Sequence, residues 1–386
     1  MTTLRTQRPP RITATLAVAV SLVVGACGSA TPVAGTPTPT VPAASTVAEA
    51  PSALPIASAT ANPSSTLSAT PVPRIMGPLP SAHPVRLDAS ISVALPVGIA
   101  GGAGGIWITV PTGADRIDPA TNTVDAKVHF GSGHEEIDAV AVGVSGVWVT
   151  DFDTDSVYRI DPSTRTVVAT IPVRTAPEGV VAADQGVWVA NHHGGSVVRI
   201  DPVTNQVVAT IPAGHTGSSG PHQIAVGLGS VWVGVPNIES VVRIDAVSNQ
   251  VLATIHEPYP TLPCGGFAIA PAAVWVSSCF EQATIARIDP ASNAVVATID
   301  VGGYTGRPFI VGDGVWFPVV DHPDPSGATV PGTLVHIDPA TNHVDRALKV
   351  AATFSPAGSW VSGDSVWLVD DSGAGRVLRL PVSAFR

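Results

Sequence analysis

Residues 196–214 read SVVRIDPVTNQVVATIPAG, and near copies of this stretch recur along the chain. Residues 156–174 read SVYRIDPSTRTVVATIPVR, and residues 284–302 read TIARIDPASNAVVATIDVG. Each copy has two runs rich in valine and isoleucine, which favour strands. The DPxxN segment between them is typical of a turn, because proline fixes φ and asparagine tolerates a left-handed backbone. Each copy therefore predicts two antiparallel strands joined by a tight turn.

Tryptophans recur in segments of the form GVWV, at intervals of roughly 40 to 50 residues. They are Trp107, Trp148, Trp188, Trp232, Trp275, Trp316 and Trp367. This period is typical of the four-stranded blades of a β-propeller. In the third repeat the pattern predicts strand A at 178–183, B at 187–190, C at 196–200 and D at 206–212.

Seven repeats predict seven blades, but the seventh ends after strand C at RVLRLPV, residues 376–382. An unmatched strand pattern, ASISVALPVG, stands at residues 89–98 before the first blade. We expect it to become strand D of blade seven, which would close the ring and remove two exposed sheet edges. The predicted fold class is all-β, a seven-bladed β-propeller closed by an N-terminal strand.

The repeat VWVANHHGGSVVRIDPVTNQVVATIPAG resembles the YVTN-type β-propeller repeat, with tryptophan where that family often has tyrosine. The resemblance covers about residues 85–386. It implies a propeller but no particular function, because one fold hosts binders, scaffolds and enzymes.

The N-terminal residues indicate export. Arg5, Arg8 and Arg11 precede an apolar stretch, residues 12–24, that is too short to span a bilayer. The following VGACGS resembles a bacterial lipobox, which implies cleavage before Cys27 and lipidation of that cysteine. We therefore predict a signal peptide at residues 1–26, a disordered Ala/Pro/Ser/Thr-rich tether at 27–83 and the propeller at 84–386. The expected location is the outer side of the bacterial cell membrane.

The composition limits the partners. The chain has 29 acidic and 19 basic residues and a formal net charge of −10 at pH 7. An acidic chain without basic patches does not favour nucleic acid as a partner. We expect a monomer that reaches the membrane through its lipid and binds a small molecule, a glycan or a protein.

The candidate site lies on the face formed by the B–C and D–A connections, which vary in length and sequence from blade to blade. About ten residues before each tryptophan, strand A begins at the channel mouth. Four ionisable side chains occupy this position, namely Asp138, Glu178, His222 and Arg307. His192 and His193 in NHHGG belong to the same face, although adjacent strand residues point to opposite sides. Two carboxylates and an imidazole could bind a divalent cation or transfer protons, but a wet channel mouth also tolerates polar residues without any such role.

A second resemblance concerns GPHQIAVG, residues 220–227, which is similar to the PHxI segment of streptogramin B lyases. Those lyases are seven-bladed propellers that use histidines and magnesium-bound glutamates in an elimination. The match would make His222 catalytic, with Glu178 beside it. The departures are Gly265 where the next blade should carry histidine, and Asn191 where glutamate should end a B strand.

Two cysteines remain after Cys27, an even pair in a chain predicted to be exported. Cys264 precedes strand A and Cys279 follows strand B of the same blade, on the same face. Neighbouring strands lie about 4.8 Å apart, so the Cα separation fits a disulfide. The sequence predicts a Cys264–Cys279 bridge, with two separate thiols as the alternative.

Two functions remain open. The preferred one is a non-enzymatic, surface-tethered propeller that binds a ligand or protein on its B–C/D–A face and requires no cofactor. The alternative is a magnesium-dependent lyase or hydrolase that uses His222 and Glu178. In that case the candidate ligands of a divalent cation, Mg²⁺ or Ca²⁺, are Asp138, Glu178 and His222.

Overall fold

A computed structural model describes residues 72–131, 136–143, 145–257, 262–278, 284–321, 332–350, 356–370 and 375–386. These residues form a seven-bladed β-propeller, as the repeats predict. Within these ranges no helix is long and apolar enough to cross a membrane.

Each blade is an antiparallel sheet whose strands are labelled A to D from the channel outward. Strands A are Ile99–Gly102, Ile137–Gly143, Pro177–Ala183, Ile224–Gly227, Pro263–Ala270, the pair Gly303–Thr305 and Phe309–Val311, and Pro356–Ser362. Strands B are Gly105–Val110, Gly146–Asp151, Gly186–Asn191, Ser230–Val235, Ala273–Ser278, Gly314–Asp321 and Ser365–Asp370. Strands C are Gly113–Asp118, Ser156–Asp161, Ser196–Asp201, Ser240–Asp245, Thr284–Asp289, Thr333–Ile337 and Arg376–Pro381. Strands D are Thr123–His129, Thr166–Pro172, Gln206–Pro212, Val251–His256, Ala294–Asp300, Val344–Lys349 and, for blade seven, Ala89–Ser92.

The predicted closure of the ring is confirmed. Ala89–Ser92 pairs antiparallel with Arg376–Pro381, so the first long strand of the propeller completes the last blade. Ile91 and Val93 are buried there, at 6% and 2% exposure. In blade three, strands A to D lie within one or two residues of their predicted bounds.

Strand pairing begins earlier than the predicted boundary at residue 84. Arg74–Ile75 pairs parallel with the outer strand of blade five, and His83–Pro84 pairs parallel with that of blade six. Arg74 also forms an ion pair with Asp300 at 2.9 Å. The last part of the segment predicted as a tether therefore lies along the blade edges. The Pro73 carbonyl accepts the Thr298 amide and the Val85 amide donates to the Lys349 carbonyl, so that strand groups otherwise unpaired are satisfied.

The repeated RID arginine holds neighbouring blades together. In blade two, the Arg159 guanidinium lies 5.2 Å from the Trp148 ring centroid, a cation–π arrangement. Its Nη1 donates to the Pro202 carbonyl at 2.7 Å and to Asn205 Oδ1 at 2.8 Å, both in the C–D turn of blade three. Equivalent arginine-to-turn bonds link four further pairs of blades, through Arg199–Asn249, Arg243–Asn293, Arg287–Asn342 and Arg379–Asn122.

Two junctions use different residues because the repeat changes there. The turn of blade two carries Arg165 instead of asparagine, and Arg116 of blade one pairs with Asp125, to which Arg165 also bonds at 2.8 Å. In blade six His336 replaces the arginine and contacts Asp345. Arg346 lies 5.2 Å from the Trp316 ring instead.

The short 3₁₀ turn Val382–Phe385 follows strand C of blade seven, and a second one, Pro236–Ile238, follows strand B of blade four.

Candidate functional site

Asp138, Glu178 and Arg307, three of the positions predicted at the channel mouth, lie at irregularities of strand A. The register of strand A against strand B shifts at this point in blades two, three, five and seven. In blade six strand A is interrupted, and Arg307 lies in the break between its two parts. A bulge redirects a side chain away from the regular alternation of the strand. The same local irregularity therefore carries Asp138, Glu178 and Arg307.

Glu178 is the centre of the site. Its Oε1 lies 2.8 Å from His222 Nε2, and its Oε2 lies 2.9 Å from His192 Nδ1. The glutamate side chain is 10% exposed, whereas those of His192 and His222 are 13% and 24% exposed. The Oε2–Nδ1 contact is out of line for a full hydrogen bond. A nearly buried carboxylate is thus held between imidazoles of blades three and four.

The neighbours of the two histidines define where their protons lie. The Ser219 amide donates to His192 Nε2 at 3.1 Å, so Nδ1 carries the proton that faces Glu178. Arg307 Nη2 donates to Gln223 Oε1 at 2.9 Å, which turns the Gln223 amide nitrogen toward His222 Nδ1 at 3.5 Å. His222 then carries its proton on Nε2, facing Glu178. Both imidazoles therefore turn an N–H group toward the carboxylate.

The pKa of Glu178 reflects these contacts. Burial by itself raises the pKa, but the His222 charge and the close contacts of both imidazoles with the carboxylate outweigh it. The resulting pKa lies well below the ordinary 4.5 of a glutamate. Glu178 is consequently an anion at every pH at which the protein is expected to work.

The chain that leads to Glu178 is strained. Arg174, Thr175 and Ala176 have φ values of 69°, 41° and 59°, three consecutive left-handed residues that are not glycine. Each such residue costs about 1–2 kcal/mol relative to a regular conformation. Asp155 Oδ1 accepts the Ala176 amide at 2.6 Å, and Asn191 Nδ2 donates to the Val173 carbonyl at 2.8 Å. Strain held in place by neighbouring side chains is common at functional sites.

Arg307 reaches the site across blade five. A Cβ added at Gly266 would lie 3.2 Å from Arg307 Cγ, so the side chain passes over a position without a side chain of its own. Its guanidinium then bonds to Gln223 of blade four. The Arg307 carbonyl accepts the Ser359 hydroxyl at 2.8 Å, which ties it to blade seven. Burial lowers the pKa of Arg307 below its ordinary value. A guanidinium nevertheless stays charged in proteins.

The other predicted site residues are less central. Asp138 lies on strand A of blade two, where its carbonyl accepts the Thr109 hydroxyl at 2.8 Å. His193 is exposed and lies edge-on to Phe152, with ring centroids 5.1 Å apart. The predicted alternation does not apply here, because His192 and His193 lie in the B–C turn after strand B, with ring centroids 5.2 Å apart.

Sequence reasoning missed two members of the network, Gln223 and Ser219. Gln223 directly follows His222 in PHQI. Its role could have been predicted from this position, because a side-chain amide beside a histidine can select the tautomer of the imidazole. Ser219 acts through its backbone amide, which no residue-type pattern reveals. His192 was predicted on the same face, but its contact with Glu178 depends on how strands A and B pair in blade three.

The candidate metal ligands are not grouped as a metal site. In the part of the chain that the structure describes, no three His, Cys, Asp or Glu side chains could hold a metal ion. His222 and His192 turn N–H groups toward Glu178, whereas a metal would need their lone pairs. A cation between these groups would therefore require both imidazoles to change tautomer.

In the acidic loop DFDTDS, residues 151–156, the carboxylates accept hydrogen bonds from main-chain amides. Asp151 Oδ1 accepts the Asp153 and Thr154 amides at 3.1 and 3.2 Å. Asp153 Oδ2 accepts the Glu136 amide at 2.8 Å. Asp155 binds the Ala176 amide as described above. The D-x-D-x-D spacing thus serves loop structure at each of its three positions.

Cys264 lies in strand A of blade five, is 3% exposed and is disulfide-bonded. Its predicted partner Cys279 lies outside the described residues, as does Cys27. The Cys264–Cys279 pairing therefore remains a prediction.

Comparisons with known proteins support the architecture. No protein-family model and no curated protein matches the chain. Among solved structures, hydrazine synthase from Kuenenia stuttgartiensis superposes with a TM-score of 0.60 at 15% sequence identity. The match covers 75% of this chain and 97% of that one. At this identity the likeness shows the fold alone, which is the β-propeller described above.

Proposed function

We propose that this protein is a binding module that takes its ligand at the channel mouth, on the face formed by the B–C and D–A connections. The observation that carries the proposal is the connected network of Glu178, His192, His222, Gln223 and Arg307. It joins blades three, four and six, and so fixes polar groups on a rigid scaffold. Fixed polar groups in a concave site give specificity for a ligand.

The scaffold supports this role in a second way. The repeat resembles YVTN-type propellers, and its C–D turns are nearly identical from blade to blade. The connections on the site face differ in length and composition. Variable loops on a uniform framework are where binding residues concentrate. The ligand is a small molecule, a glycan or a protein segment that can enter the mouth.

A thermal-shift screen of the full-length protein against small-molecule and glycan libraries tests the proposal. Each hit is retested on His222→Ala, and we expect the affinity to fall at least about tenfold, the cost of one lost hydrogen-bonding group at a binding site. His256→Ala is the matched control, because that histidine is 68% exposed on an outer strand. Hits that respond equally to both variants would place binding elsewhere.

A second candidate is a metal-dependent lyase or hydrolase of the streptogramin B lyase type, with His222 and Glu178 at its centre. One observation favours it: Glu178 contacts His222 Nε2 at 2.8 Å, so that Nδ1, which faces the Gln223 amide at 3.5 Å, is the nitrogen able to accept a proton. An orienting carboxylate behind a histidine base is a recurring catalytic arrangement. The segment PHQI resembles the lyase motif in the same place.

Metal analysis and an assay of macrocyclic lactone opening separate the two candidates. An enzyme should retain about one equivalent of Mg²⁺ or Ca²⁺ and lose at least about a hundredfold in rate in His222→Ala, the range of general-base catalysis. Glu178→Gln should lower the rate through His222 while substrate still binds. A metal-free protein without turnover would leave the binding module as the function.

We also propose that the protein is anchored at the outer side of the cell membrane through a lipid on Cys27. The lipobox-like VGAC segment supports this. Several acyl chains would be required for stable anchoring, because one chain gives only marginal binding. Growth with an alkyne fatty acid should label the wild-type protein, and Cys27→Ser should abolish the label and release the protein from membranes.

A further inference from the structure

We propose that the ligand of the channel mouth carries a carboxylate, which Arg307 binds. This inference rests on the proposed binding function and names the chemical class that the site recognises.

Within the residues that the structure describes, the charge of Arg307 is not compensated by a carboxylate. Its recorded side-chain bond is the one from Nη2 to the neutral Gln223 amide. No carboxylate of the described residues forms an ion pair with it, whereas five of the other arginines do form one. Enclosing a cation without a counter-charge is unfavourable unless a partner arrives. A bound anion would supply that partner.

Glu178, the nearest anion of the network, is already engaged. His222 and His192 lie 2.8 and 2.9 Å from its two oxygens. Gln223 and His222 stand between this carboxylate and the Arg307 guanidinium in the chain of contacts. Arg307 therefore keeps a net positive charge at the mouth, in a protein whose overall charge is −10. The negative net charge of the chain repels anions, so an anion-binding site requires a local positive charge such as that of Arg307.

The position of Arg307 suits a planar ligand group. Gly266 leaves the space through which its side chain passes, and Gln223 fixes Nη2. No described residue accepts a hydrogen bond from Nε or Nη1. The edge of a guanidinium matches the two oxygens of a carboxylate in a bidentate pair.

The charges also select among anions. A single guanidinium balances one negative charge, which is that of a carboxylate. A phosphate monoester carries nearly two, and the Glu178 anion in the same network would oppose the second. A cationic ligand would be repelled by the positive charge of Arg307. The site therefore favours a monocarboxylate.

Matched pairs of probes test the inference on the full-length protein. Benzoate, phenylacetate and hexanoate are compared with benzamide, phenylacetamide and hexanamide by saturation-transfer NMR titration, with phenyl phosphate as the competing anion. We expect each acid to bind at least about tenfold more tightly than its amide, the usual gain of a charge-assisted hydrogen bond. Arg307→Gln should remove this difference.

A second variant guards against a folding defect in Arg307→Gln. Gly266→Ala places a Cβ against the Arg307 side chain and should also reduce the preference for acids. Its control is Gly217→Ala, because Gly217 has a similar φ of +110° but no atom within 4 Å of the added Cβ. Retention of the acid preference in both Arg307→Gln and Gly266→Ala would overturn the inference.

The remaining outcomes distinguish this inference from the proposed function. If probes bind at the mouth and respond to His222→Ala, but acids and amides bind equally, the carboxylate inference fails and the binding function stands. Tighter binding of phenyl phosphate than of every acid would likewise refute it. If no probe and no library compound binds, both proposals fail together.

Discussion

Arg379 Nη1 donates a hydrogen bond to Asn122 Oδ1 at 2.9 Å, and so joins the last strand of blade seven to the C–D turn of blade one. The same nitrogen donates to the Pro119 carbonyl at 2.7 Å. The Arg379 guanidinium also lies 5.0 Å from the Trp367 ring centroid. The ring is thus closed twice, by the N-terminal strand within blade seven and by this arginine between blades seven and one.

Arg379→Ala should lower the free energy of unfolding by about 2–3 kcal/mol, because it removes charge-assisted hydrogen bonds and a cation–π contact. Urea denaturation measures the change. Arg74→Ala is the control, since that side chain is 49% exposed and its surface ion pair contributes little. Equal effects of the two substitutions would show that the arginine does not hold the ring.

Asn122 offers a second test of the same bond. Its φ of 56° is left-handed, so Asn122→Ala should lose both the hydrogen bond and the favourable backbone, whereas Asn122→Gly should lose chiefly the bond. We expect the alanine variant to melt at a lower temperature than the glycine variant. The opposite order would contradict the structural role of this turn.

Deletion of the N-terminal strand should disrupt blade seven. A chain that lacks residues 84–98 loses the contacts of Ile91 and Val93, worth about 3–6 kcal/mol, and exposes the edge of Arg376–Pro381. We expect aggregation or a much lower melting temperature than that of the intact propeller.

Deletion of residues 72–82 alone is the matched comparison, because it removes a two-residue bridge and the Arg74–Asp300 ion pair. Its melting temperature should stay close to that of the intact protein. If the two deletions have the same small effect, the closure does not stabilise the ring.

Glu178→Gln should destabilise the protein at neutral pH by an amount on the order of 3 kcal/mol, because the paired anion is lost from a buried site. The pKa of Glu178 is lowered on folding, so its contribution is fully present above the ordinary 4.5 and declines as the pH falls through the lower folded value. The wild type and the variant should therefore converge in acid. Urea denaturation between pH 3 and 7 measures this. A gap that widens toward acid pH would contradict the assigned pairing.

The predicted Cys264–Cys279 bridge closes a loop of about 15 residues, which would stabilise the fold by about 3 kcal/mol in the chain-entropy model. Mass spectrometry of the non-reduced protein should give a peptide that contains both cysteines. Cys279→Ser should lower the melting temperature as reduction of the wild type does. Ready alkylation of both thiols without reduction would exclude the bridge.

Local sequence chemistry determined the blades. Val-rich runs, the DPxxN turns and the spacing of Trp107 to Trp367 each act within one hairpin, so strand order, blade number and closure by residues 89–92 could be predicted. The similar offsets of Glu178, His222 and Arg307 from the tryptophans predicted that these side chains share one end of the channel.

Only the tertiary structure decided which of these side chains meet. Asp138 has an offset like that of Glu178, yet Glu178 receives His222 and His192, and Arg307 reaches Gln223 by passing Gly266. Residues 74–75 lie on blade five although their composition is that of a linker. A repeat pattern predicts the strands and turns within each blade. Contacts between blades depend on bulge geometry, on missing side chains and on the curvature of the ring, which arise only when all seven blades pack together.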